Sequence, residues 1–177
     1  MDLPLPEEAP DPRAQARADR QRFVRALIVS ALFVALLWWI RMLEQWLGQS
    51  LGALGVRPGE WSGLFGILAA PLIHGSLKHL VANTLPLLVL GTLAFATYPR
   101  SAARAAVLIC LLSGLGIWVF GRDSTHIGAS GLSHGLMFFL FVLGLLRRDR
   151  PGIAAALIAF FLYGGMLLTV LPGDPQI

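Results

Sequence analysis

His126-Ile127-Gly128-Ala129-Ser130-Gly131-Leu132-Ser133-His134-Gly135 sets a small polar cluster at the head of an apolar run, Leu136 to Leu146. Around Ser130 the neighbours Gly128, Ala129 and Gly131 are small, so another backbone can approach the hydroxyl closely. His134 follows Ser130 by four positions, and on a helix the two share a face. Polar groups at the mouth of a membrane helix are costly and tend to be functional. The competing explanation is packing, because glycine and serine let helices approach each other in lipid. Taken alone, the stretch favours packing.

The surrounding chain decides what kind of helix this is. Its 177 residues are 56% hydrophobic and only 14% charged, with a mean hydropathy of +0.70. Such long apolar runs and sparse charge exclude an ordinary soluble domain. A net charge of +4 and a pI near 10.2 would suit a nucleic-acid partner. The basic residues instead fall in short clusters between apolar runs, which is the pattern of membrane topology, so no nucleic-acid partner is expected. Cys110 is the only cysteine, which rules out an intrachain disulfide or a thiolate metal cluster within these residues. The first apolar segment follows a polar stretch and has no small-residue cleavage site after it, so it reads as an anchor rather than a removed signal peptide.

Residues 1–22 hold Pro4, Pro6, Pro10 and Pro12 among mixed charges and are expected to be a flexible cytoplasmic tail. Residues 23–177 are expected to form one membrane domain. A first span runs from about Phe23 to Ile40, extending toward Leu47, near the ~20 residues that cross hydrocarbon. Residues 48–75 are punctuated by Gly48, Gly52, Gly55, Pro58, Gly59, Gly63, Gly66 and Pro71. They predict a long semi-buried loop with short helical pieces, packed against the other helices because irregular backbone at membrane depth needs protein around it. Further spans are predicted over about Leu77–Thr97 (with Pro86 inside), Ala102–Phe120, Ala129–Leu146 and Ile153–Leu171. The expected fold is an all-α polytopic membrane bundle with five spans.

Arg13, Arg17, Arg20, Arg22, Arg25, Arg100, Arg104, Arg147, Arg148 and Arg150 would lie on one side, and only Arg41, Arg57, Lys78 and Arg122 on the other. This asymmetry places the N-terminus in the cytoplasm and the C-terminus outside. The second and fourth spans then both begin at the outer face. His74, His79, Asn83, Ser130 and His134 gather at one depth, which packing alone does not explain.

His79 and Asn83 share a helical face, and both can donate hydrogen bonds from neutral side chains. Donors converging in a dry site suit an anion that forms only in a transition state. Ser130 would be the nucleophile that generates it at a carbonyl. The alternatives are interhelical hydrogen-bond glue and a metal site built from His74, His79, His126 and His134. No inward carboxylate accompanies those histidines, and the His74–His79 spacing suits one helix poorly.

His74-x-x-x-x-His79-x-x-x-Asn83 opening one span, and Gly128-Ala129-Ser130-Gly131 opening another two spans later, resemble the rhomboid intramembrane serine proteases. The resemblance covers roughly residues 25–177 and includes the long loop and the N-in topology. It implies an endopeptidase that cleaves transmembrane segments of membrane proteins near the outer face, with no cofactor and no metal. Its partners would be transmembrane substrates and the lipid bilayer, and its location the bacterial plasma (inner) membrane. The resemblance makes Ser130 the nucleophile. His79, Asn83 and the Ser130 N–H stabilise the oxyanion, and His74 supports the site from the loop edge.

Three features depart from the family pattern. The family's base histidine lies on a sixth span, and no histidine follows His134 in this sequence. The expectation is a domain incomplete at its C-terminus, with little or no activity as this exact chain. His134 stands where the family often has an aromatic ring stacked on that base, and it is itself a candidate base. Gly59-Glu60-Trp61-Ser62 supplies a loop tryptophan without the family's arginine. A non-catalytic rhomboid-like protein that binds transmembrane clients is the alternative. A transporter or channel would need ionisable residues through the bilayer centre, which these spans lack.

Overall fold

The computed structural model describes residues 11–165. Its apolar runs form helices α1 (Pro12–Leu47), α3 (Leu77–Thr97), α4 (Pro99–Phe120), α5 (Ser130–Arg147) and α6 (Arg150–Tyr163), with a one-turn α2 (Gly66–Ala69) in the long loop. Four of them, α1, α3, α4 and α5, are long and apolar enough to cross a membrane. The fifth expected span is helical over α6, and its continuation toward Leu171 lies outside the described residues. No strand forms among the described residues; the fold is all-α, as expected.

Each helix starts where a local donor or acceptor allows it. Asp11 caps α1 by accepting from the Arg13 N–H, with Pro12 in the first turn. The segment 12–22, expected as flexible tail, is therefore helical: good helix formers such as Ala14, Gln15 and Ala16 extend an already nucleated span at little cost. Residues 1–10 of that expected tail lie outside the described residues. Gly48, at φ +64, ends α1 and sends its N–H to the Gln45 and Glu44 carbonyls. Ser76 caps α3, its Oγ accepting from the His79 N–H at 3.1 Å. Asp149 caps α6 by accepting from the Gly152 N–H at 2.6 Å. Pro86 is accommodated inside α3.

α1 packs along α3, α5 packs between α4 and α6, and α3 lies against α5. Leu37, Leu80, Leu90, Ala94, Ala102, Leu140 and Ala159 are buried in the common core. Trp38 ties α1 to α3 by donating to the Thr84 hydroxyl at 3.0 Å. At the opposite end, Tyr98 meets Phe139 edge-on and carries the Arg147 guanidinium 5.3 Å above its ring.

Residues 48–75 form the expected loop with helical fragments, 3-10 turns over Leu51–Leu54, Trp61–Leu64 and Ala70–Leu72 flanking α2. Glu44, a carboxylate near the end of α1, is 4% exposed. One of its oxygens accepts from the Leu51 N–H at 2.7 Å and the other from Arg41 at 3.3 Å, which fastens the start of the loop to α1. Farther along, Gly59 donates its N–H to the Trp118 carbonyl, and the Trp118 indole donates to the Glu60 carbonyl at 2.8 Å.

The α5–α6 contact depends on close backbone approach. A Cβ on Gly144 would lie 2.5 Å from the Gly152 oxygen and 2.9 Å from the Ala156 Cβ, whereas one on Gly116 of α4 would meet open space. Gly144→Val is expected to destabilise the protein by about 1–3 kcal/mol through overpacking. Gly116→Ala is expected to stay within about 0.5 kcal/mol of wild type. Thermal unfolding in one detergent measures both.

Candidate active site

The polar cluster is assembled by the loop. Val56 and His126 exchange both backbone hydrogen bonds, at 2.9 and 2.8 Å, as an isolated antiparallel bridge. Two residues later the Gly128 N–H donates to the Ala70 carbonyl at 2.8 Å. These bonds hold the segment before α5 against the long loop, so that Ser130 opens α5 as an exposed residue. Ala129 provides no side-chain cap, which leaves the first N–H groups of α5 without intrahelical acceptors. The positive end of the helix dipole lies there too.

His79 reaches this segment from the first turn of α3. Gly128 sits at φ +113, and a Cβ there would lie 2.5 Å from His79 Cε1 and 2.7 Å from Nε2. The imidazole thus lies flush against the backbone two residues before Ser130. His74 stands behind it, edge to face, with ring centroids 5.1 Å apart. Asn83, 5% exposed, donates from Nδ2 to the His79 carbonyl at 3.0 Å, leaving its second amide hydrogen.

His134 does not direct Nδ1 at the serine hydroxyl. That nitrogen lies 2.7 Å from the Ser130 carbonyl oxygen. A carbonyl only accepts, so Nδ1 carries the hydrogen. His126 stands apart, its Nε2 within bonding distance of the Arg122 carbonyl and the Ser124 hydroxyl. Among the described residues no three His, Cys, Asp or Glu side chains converge as a metal site. A cavity of about 110 Å³ adjoins Ser130, lined in part by Val56, Ile67, Ser113 and Gly128. Sequence inspection missed Glu44 as the loop's clamp and the Ala70 carbonyl as the anchor of Gly128. Neither carries a local signal, because each acts through a partner distant in the chain.

His74 is 1% exposed, and neither ring nitrogen makes a well-formed side-chain hydrogen bond. Burial, followed by the nearby His79, pushes its pKa down from 6.5 to about 4; the Leu72 backbone and Glu44 oppose the shift.

Four helices long and apolar enough to span a bilayer, with His79 of α3 packed against the Gly128 backbone just before α5, define an integral membrane protein with a polar cluster at one end. The Rhomboid domain family model matches residues 58–177, and the chain belongs to the rhomboid family. An uncharacterized protein of Mycobacterium tuberculosis is 40% identical over 159 residues, covering 86% of this chain and 66% of that protein. An uncharacterized protein of Mycobacterium leprae is 33% identical over 177 residues, covering 96% of this chain and 70% of the relative. The chain therefore spans 66% of the length of the first of these relatives. No solved structure matches it.

Two predictions follow from this geometry. Gly128→Ala combines left-handed backbone strain with a collision against His79, and Gly59→Ala, at φ +72 with nothing near its Cβ, has the strain alone. Each is expected to lose about 1–3 kcal/mol from strain. Gly128→Ala should unfold at the lower temperature of the two, the gap reporting the histidine contact. The second concerns acid. A lowered folded pKa means that the unfolded chain takes up the His74 proton first as pH falls. The stability contributed by neutral His74 is complete above pH 6.5 and is lost as pH approaches about 4. The unfolding temperature of wild type should fall more steeply across that window than that of His74→Gln.

Proposed function

We propose that the chain carries the nucleophile and oxyanion site of a rhomboid-type serine endopeptidase. It would cleave transmembrane segments of membrane proteins near the outer face, with the N-terminus of this chain in the cytoplasm. The observation that carries this reading is the His79 imidazole lying against Gly128, two residues before the exposed Ser130. Glue between helices needs no exposed serine two residues along from a ring held in place.

In the proposed reaction Ser130 Oγ forms a bond to the substrate carbonyl carbon while a base takes its proton. The carbonyl oxygen becomes an oxyanion, and three donors suit it: the His79 ring N–H, the second Asn83 amide hydrogen and the Ser130 N–H at the head of α5. On collapse of the intermediate the C–N bond breaks and the base returns the proton to the leaving amine. His74 acts by packing: kept neutral by burial, it braces the His79 ring without adding a charge that would compete for the oxyanion.

The reaction needs a base within reach of Ser130 Oγ. His74 is buried, His126 is engaged in its own turn, and His134 gives Nδ1 to the Ser130 carbonyl. The family's solution is a histidine on a further span. The stripe Ser130, His134, Phe138, Phe141, Leu145 along α5 supports that solution. Phe138 and Leu145 are 48% and 63% exposed on α5, while Phe141 already meets the Phe160 ring of α6, so a further helix would pack beside Ser130 on the part of this face that α6 leaves open.

The test is labelling by a fluorophosphonate reagent and cleavage of a model transmembrane substrate. The 177-residue chain by itself is expected to show little or no reaction. Fusion to a rhomboid sixth span bearing its histidine should give labelling that Ser130→Ala abolishes. His79→Ala or Asn83→Ala in the fusion should lower the cleavage rate on the order of 10²-fold. Labelling of the unfused chain that His134→Ala removes would identify His134 as the base. No gain from the fusion, with the protein correctly inserted, would sink the proposal in favour of client binding without chemistry.

A further inference from the structure

A cavity of about 370 Å³ lies between α1 and α4, beneath the long loop and next to the smaller cavity at Ser130. Its inner wall is formed by Phe33 of α1, Leu87 and Phe95 of α3 and Leu136 of α5. Pro71 and Leu72 of the loop lie at its outer end. The small residues Gly91 and Ala106 open it. At its mouth, Val29, Leu68, Val107 and Leu111 are exposed, on segments whose composition suits hydrocarbon.

We propose that this slot binds a single acyl chain of a bilayer lipid. Three observations point to that occupant. The mouth opens on the lipid-facing surface of α1 and α4, at the level of the middle of both spans, where the bilayer offers only hydrocarbon. The slot runs along the helices: Leu87 to Phe95 alone covers about 12 Å at 1.5 Å per residue. That direction is also the mean direction of acyl chains. The loop covers the outer end, so a tail entering from the side fits and a headgroup does not. Left empty, the walls would forfeit dispersion contacts that a chain supplies.

Ser30 Oγ is the polar exception. It is buried against Gly91 without a hydrogen-bond partner. A helical serine can satisfy itself on the carbonyl one turn back, so it imposes no polar ligand. Pro71, Cys110 and Leu132 line both the slot and the smaller cavity beside Ser130. The occupant therefore bears on the wall two residues from the hydroxyl. The site stands whether or not Ser130 is catalytic.

The probe is a phosphatidylcholine with a photoactivatable diazirine in mid-chain, incorporated into vesicles with the protein and mapped by mass spectrometry after irradiation. Adducts are expected on Leu87 and Cys110 inside the slot as well as on the exposed Leu32 of α1 and Leu112 of α4. Ala106→Phe, which fills the slot, and Val107→Trp, which narrows its mouth, should each cut the internal adducts at least fivefold. The Leu32 and Leu112 adducts should be unchanged and report equal insertion, while a cooperative thermal unfolding transition in detergent reports that the variants are folded. Ser30→Ala should leave the internal adducts unchanged. The proposal is overturned if wild type gives no internal adducts, or if they survive both bulky substitutions. Their loss in Ser30→Ala would overturn it too, by showing a hydrogen-bonding ligand instead.

Discussion

Backbone hydrogen bonding at membrane depth is the constraint on which the architecture turns. The long loop after α1 is too broken by glycine and proline to satisfy itself as one helix, and lipid offers it no donors or acceptors. Its peptide groups are met by protein: Leu51 by Glu44, Val56 by His126, Gly59 by Trp118, and Ala70 by Gly128. Two of these four contacts land on the short segment between α4 and α5. The need to satisfy the loop is thereby the same thing as the positioning of the residues before Ser130. Weakening the loop's attachment would release the start of α5 along with it.

The histidines at the Ser130 end of the bundle illustrate how one residue type takes different roles from its surroundings. His79 is held in the first turn of α3 by the Ser76 cap on its N–H and pressed against a glycine that tolerates no side chain. His74 is sealed behind it in neutral form. His134 spends one nitrogen on its own helix, and His126 belongs to a turn. Proximity to Ser130 in sequence is a poor guide to proximity of reactive atoms: the imidazole nearest along the helix bonds the serine's carbonyl rather than its hydroxyl.

Much of this was legible before any coordinates. Leu77–Thr97 is both the predicted second span and the observed α3, because the apolar run is bounded by a capping serine and by Tyr98-Pro99. The loop's fragmentation follows from its glycines and prolines. Span counting and charge led to the expectation that His74, His79, Asn83, Ser130 and His134 share one depth, and the His74–His79 and His79–Gly128 contacts lie among those elements. What escaped depends on partners far apart in the chain. The helicity of residues 12–22 comes from cooperativity with the span that follows, while the composition reads as tail. Glu44 looks interfacial beside Trp46, and only the folded loop supplies the N–H that makes its burial tolerable. Asn83, read as a donor into the site, also spends one hydrogen on the His79 carbonyl, a local competition that spacing alone does not reveal.

The joint between α3 and α4 is a single residue, Tyr98, pinned by Phe139 and Arg147. Helices of 21 and 22 residues are about 31 and 33 Å long, barely more than the ~30 Å hydrocarbon layer. With no slack at this turn, the pair acts as a ruler standing on the interface beside Tyr98. The height of His79 above that interface is set by the protein, and its depth below the opposite one by the membrane. The polar mouth is then shallow in a thin bilayer and sunken in a thick one, so the lipid environment decides how much water reaches it.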